Sequence, residues 1–67
     1  MIDPKDGQYR ENIKLDTEVS VVQKKDQRTG KRTIGKVRFI LTSNSFHSRG
    51  IKVMLESRVV GRVQEIL

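Results

Sequence analysis

Alanine is absent from this chain, and 14 of its 23 apolar residues are valine or isoleucine. Alanine is the best helix former, whereas β-branched side chains lose rotamer freedom in a helix and pack well on a pleated surface. The chain therefore selects strands. Its 67 residues make one domain, and a domain of that size buries only about 60% of its unfolded surface. No cysteine is present to reinforce so small a core. Four or five short strands cannot build a two-layer sandwich, but they can curl into a small barrel that hides most strand edges. The expectation is an all-β, partly open small barrel of four or five strands.

Period-2 alternation places the strands. Val19 and Val21 alternate with Ser20 and Val22, giving a first strand over about Glu18 to Lys24. A polar connection, Lys25 to Arg32, contains Gly30 and leads to a second strand over Thr33 to Leu41. On that strand Val37, Phe39 and Leu41 are expected to face inward. Ile51, Val53 and Leu55 alternate with Lys52, Met54 and Glu56, the cleanest such pattern in the chain. After a turn at Ser57-Arg58, Val59, Gly61 and Val63 line the inner side of the last strand. Gly35 and Gly61 suit bend points. Residues 1–12 carry Pro4 and Gly7 and no periodicity, and read as a flexible or loosely docked arm. Residues 13–67, starting from Ile13 and Leu15, form the barrel domain.

The net charge of +6 is local. Lys24, Lys25, Arg28, Lys31, Arg32, Lys36 and Arg38 face only Asp26 in their stretch, and the seven remaining bases balance the seven remaining acids. A concentrated field attracts polyanions better than dispersed charge, and clustered bases release counterions from phosphates. On a basic hairpin over 24–38, Arg28, Lys31 and Arg32 stand at the tip and the other four at the flanks.

These residues carry two resemblances. Val19-Ser20-Val21-Val22, the loop to Gly30, and Gly35-Lys36-Val37 resemble the KOW motif of small SH3-like barrels in ribosomal proteins and transcription elongation factors. Asp16 stands where such motifs carry glycine. Lys24 to Lys31, Ile40-Leu41-Thr42, Gly50 to Val53 and Val60 to Ile66 resemble the YwbE family of small microbial proteins of uncharacterised function. The likeness runs from Gly7 onward. Ser43 to Arg49 lacks the prolines and second histidine expected there, and Ser57-Arg58 replaces an Asp-Gly turn. The resemblance implies the fold and supplies no activity.

Other chemistries are weakly served. His47 lies near Ser45 but lacks the orienting group and oxyanion site that a nucleophilic pair requires. One histidine without cysteine makes no zinc site. Thr29-Gly30-Lys31 resembles the end of a phosphate-binding loop, but Lys25 and Arg32 occupy positions where that loop needs glycine and a hydroxyl. No enzyme, metal or cofactor is expected. Single-strand binders stack bases on aromatic rings. Here Phe39 reads as core, leaving Tyr9 and Phe46, so phosphate- and shape-based binding is expected rather than base readout.

The reading is a non-enzymatic nucleic-acid-binding module. Its partner is RNA or another polyanion, in a ribosome- or translation-related setting. Secondary contacts are expected from Phe46, His47, Arg49, Lys52 and Arg62, with Lys52 and Arg62 facing each other across the last hairpin. The alternative is a protein-interaction adaptor using an exposed sheet face or edge, with Met54 and Val60 outward and an acidic protein as partner. Charge reversal at Arg28, Lys31 and Arg32 separates the two. No apolar run approaches the roughly 20 residues of a membrane span, and Met1 to Arg10 has no apolar leader core. A cytoplasmic monomer is expected.

Overall fold

A computed structural model describes residues 6–67; Met1–Lys5, the start of the segment read as an arm, lie outside the described residues. Four strands form: β1 (Glu18–Val22), β2 (Thr33–Ile40), β3 (Lys52–Leu55) and β4 (Val60–Ile66). Every neighbouring pair is antiparallel, and β1 pairs with both β2 and β4. The sheet thus closes into a barrel in the order β1-β2-β3-β4. Closure exceeds the partly open ring expected, because β4 runs on to Ile66, which pairs with Val19. The architecture fits a small SH3-like barrel. Among the described residues, helical structure is limited to single 3-10 turns at Arg10–Asn12 and Lys24–Asp26. Lys24 therefore leaves the first strand, which ends at Val22.

The barrel interior is the β-branched set. Val19, Val21, Val37, Ile51, Val53, Leu55 and Val63 are wholly buried, and Ile13 and Ile66 complete the core. At Gly61 a Cβ would stand 2.8 Å from Val21 Cγ2, and at Gly35 one would stand 2.9 Å from Leu55 Cδ1. Both glycines make room for a side chain of the neighbouring strand inside the barrel.

Leu15, at the start of the domain, and Phe39 and Leu41, which were expected to face inward, stand outside the core. Leu15 is 58% exposed. The chain reverses there: Thr17 N–H donates to Lys14 O at 3.2 Å, and Asp16 adopts φ 67°. The turn carries Leu15 away from the core. Phe39 and Leu41 are also exposed. Val37 pairs with Leu55, but Phe39 pairs with Met54, so two residues of β2 advance against one of β3. Arg38 is the extra residue of a β-bulge, which reverses the facing of the residues after it. Phe39 then shares the outer face with Met54, and Ile40 packs against the core opposite Val53.

Leu55 N–H donates to Val59 O and Arg58 N–H to Leu55 O, both at 2.8 Å, which closes the β3–β4 connection around Glu56, Ser57 and Arg58. Arg58 has φ 71°. Three-residue hairpin loops place a left-handed residue there, usually glycine. Asp16 and Arg58 thus occupy left-handed positions at the two places where the resemblances called for glycine.

The described part of the arm lies along the 42–51 loop. Arg10 N–H donates to Ser45 O, His47 N–H to Gln8 O and Ile51 N–H to Gly7 O. Gly7 and Gly50 both abut Val63 O, so closely that a Cβ on either would collide with it. Three chain segments therefore pack backbone to backbone at this point.

Candidate functional site

The Lys24–Arg32 connection is a folded loop. Asp26 N–H donates to Gln23 O at 2.9 Å, and Gly30 N–H returns to Asp26 O at 2.8 Å with Gly30 at φ 73°. Thr29 Oγ1 donates to Asp26 O and accepts from Lys31 N–H. Gln23 Nε2 donates to Thr33 Oγ1 and ties the two ends of the loop together. The Lys-Lys-Asp-Gln-Arg-Thr-Gly block therefore encodes a 3-10 turn closed by a left-handed glycine. That geometry leaves Lys24, Lys25, Arg28, Lys31 and Arg32 exposed.

The hairpin bases do not form one cluster. Lys36 stands directly across from Glu18, so part of its field is cancelled. Arg38 sits at the bulge with its Cζ 5.4 Å from the Phe39 ring centroid, a cation–π distance.

A second set of cations converges beside the loop. A groove of about 500 Å³ is lined by Lys24, Gln27, Arg49, Lys52 and Arg62, with Val22, Val60 and Gly61 along its floor. Among the described residues no carboxylate lines it. Lys52 and Arg62 are register partners, as the period-2 pattern predicted, and Arg62 also pairs with Val22. Like charges directly opposite one another destabilise a sheet. Arg62 is held in place by its Nη1, which donates to Gly50 O at 3.1 Å. Gln64 Nε2 donates to Arg49 O at 3.1 Å and to Arg62 O at 3.2 Å, fixing the backbone that carries Arg49. Gln64 is free to do this because it is the extra residue of a bulge: Ser20 pairs with Glu65 but Val21 pairs with Val63.

The acids lie elsewhere. Asp16 and Glu18 are at the start of β1, and Glu65 pairs with Ser20 and bridges to Asp6. The groove abuts the other end of β1, at Val22.

Phe46 and His47 lie in the packing between arm and loop. The Phe46 ring is 5.0 Å from that of Tyr9, at 51°. His47 Nδ1 accepts from Arg49 N–H at 3.1 Å. Of the residues expected as secondary contacts, Arg49, Lys52 and Arg62 come together in the groove, and these two do not line it. Gln27 and Gln64 were missed in the sequence, where isolated glutamines give no signal. Among the described residues no group of His, Cys, Asp or Glu could hold a metal ion. No described helix is long and apolar enough to cross a membrane.

These features define a small SH3-like barrel with a carboxylate-free basic groove at one end. Residues 6–66 match the family described as "Uncharacterized conserved protein (DUF2196)", and the chain belongs to that family. It is 49% identical over 61 residues to the "Uncharacterized protein YwbE" of Bacillus subtilis (strain 168), covering 91% of this chain and 94% of that protein. No solved structure matches the chain.

Proposed function

We propose that the protein is a non-enzymatic nucleic-acid-binding module that docks RNA by its phosphate backbone on the basic end of the barrel. The observation that carries this reading is the Lys52–Arg62 pair, two cations in register that share a groove with Lys24 and Arg49 and no carboxylate. Their mutual repulsion costs stability in the free protein and is relieved by a bound anion. Arg49 and Arg62 offer planar forks for phosphate oxygens, and Lys24 and Lys52 act as point charges. Arg28, Lys31 and Arg32 extend the field beyond the groove, which suits a polymer of phosphates rather than a single one.

The adaptor reading draws on one observation, the outward row of Phe39, Met54 and Val60. Partner-strand addition needs a free sheet edge, and each described strand already has a neighbour on both sides.

The test is an NMR titration of labelled protein with a short RNA hairpin at 50 and 200 mM salt. The amides of Lys24 to Arg38 and of Arg49, Lys52 and Arg62 are expected to shift. About four phosphate contacts give roughly a hundredfold loss of affinity between the two salts. Absence of any shift at the lower salt rejects the reading.

A further inference from the structure

Across the Met54–Val60 pair from the groove lies a second cavity with a mixed lining. It has a volume of about 570 Å³ and is lined by Arg38, Phe39, Met54, Glu56 and Arg58. Half of the Phe39 surface is exposed. Arg38 lies over the ring, 5.4 Å from its centroid, and the surface that remains exposed is what a ligand can cover. Glu56 sets this cavity apart from the groove, because it places a carboxylate beside the two arginines and the aromatic ring. The same carboxylate accepts hydrogen bonds from the amino and imino groups of a nucleobase. The groove has cations and, among the described residues, neither a carboxylate nor an aromatic ring.

The two cavities adjoin across neighbouring strands. Met54 borders one and Val60 the other, and these residues are register partners on β3 and β4. From Phe39 to Arg62 is two strands of about 4.8 Å and two residues of about 3.3 Å, on the order of 12 Å along the surface. One or two nucleotides span that distance.

Resting on the nucleic-acid reading above, we propose that the ligand is single-stranded. An unstacked base lies on Phe39 and Met54, with Glu56 on its polar edge, while the neighbouring phosphates occupy the Lys24/Arg49/Lys52/Arg62 groove. A duplex keeps its bases stacked inside and cannot fill the Phe39 cavity. This reverses the expectation of binding without base contacts, which rested on Phe39 being core.

The experiment compares a single-stranded RNA heptamer, its DNA equivalent and the same RNA as a duplex. Each strand carries one 2-aminopurine, whose fluorescence is quenched on stacking. Wild type, Phe39→Ala and Phe39→Leu are titrated, and amide spectra check that the variants stay folded. Expected for wild type are preference for the single strands and a change in 2-aminopurine emission. Phe39→Ala and Phe39→Leu are expected to lose about tenfold or more on single strands and nothing on the duplex. RNA preferred to DNA assigns contacts to the 2′-hydroxyl, and equal binding assigns the site to base and phosphate alone; both accord with the proposal. Salt-sensitive binding that is equal for strand and duplex, or unchanged in both Phe39 variants, overturns it and leaves the electrostatic reading standing. No binding of any of the three at low salt overturns both.

Discussion

Two sets of cations meet at one end of this barrel, and they are held in different ways. Arg28, Lys31 and Arg32 project from a loop, where each long side chain must give up rotamer freedom when it grips a ligand, at about 0.5–1.5 kcal/mol each. Lys52 and Arg62 stand on neighbouring strands, and Arg62 is already bonded to Gly50 O. Arg49 stands on backbone pinned by Gln64. The loop supplies reach and the groove supplies preorganised geometry. Charge density along the sequence therefore ranks these residues poorly, because most of the densest run projects from a loop while Lys52 and Arg62 stand on paired strands.

Glycine substitutions test the contrast most severely. Gly30 and Gly50 both have positive φ, 73° and 102°. A Cβ at Gly30 meets nothing within 4 Å, whereas one at Gly50 would collide with Val63 O. Gly30→Ala should cost about 1 kcal/mol of backbone strain. Gly50→Ala adds a clash with backbone and should cost about 3 kcal/mol or more, which lowers the melting temperature by roughly 15 °C in a domain of this size. Thermal unfolding of the two variants decides the matter. Similar small losses would mean that the groove wall is no more rigid than the loop.

Charge reversal comes next in size and separates stability from binding. Lys52→Glu replaces a repulsive cross-strand pair by an attractive one, so the variant should be more stable by up to about 1 kcal/mol. The same change should weaken RNA binding about tenfold or more and flatten the salt dependence by one to two contacts. Arg28→Glu, at an exposed loop position without a cross-strand partner, should leave stability unchanged and weaken binding only a few-fold. A larger loss from Arg28→Glu than from Lys52→Glu would reverse the ranking and put the affinity in the loop.

Much of this was legible in the sequence. Strict alternation over Ile51 to Glu56 placed three core residues and set Lys52 opposite Arg62, because antiparallel register is determined once two outward faces are known. Alternation misled at Arg38, since a bulge adds one residue without any mark in composition and moves Phe39 from inside to outside. The packing of the arm was hidden for a different reason. Gly7 and Gly50 meet through the carbonyl of Val63, a contact among backbone atoms that side-chain patterns cannot report. The groove was half visible. Lys52 and Arg62 were recognised as a pair, but the placing of Arg49 beside them depends on the second bulge, which frees Gln64 to hold Arg49.

The smallest effect bears on why the second cavity keeps its arginine. Arg58 holds φ 71° at a turn position that favours glycine, a strain of about 1 kcal/mol for a side chain with a Cβ. It also lines the Phe39 cavity together with Arg38. Arg58→Gly should therefore raise stability by up to about 1 kcal/mol, less the entropy that glycine adds to the unfolded chain. If Arg58 contacts the strand flanking a bound base, the variant should also lose about one charge contact from the salt dependence on single-stranded RNA and none on a duplex. Paired denaturation and salt titrations measure both. A gain in stability with no change in binding would make the turn a local imperfection, and would confine the ligand to the groove side of the Met54–Val60 row.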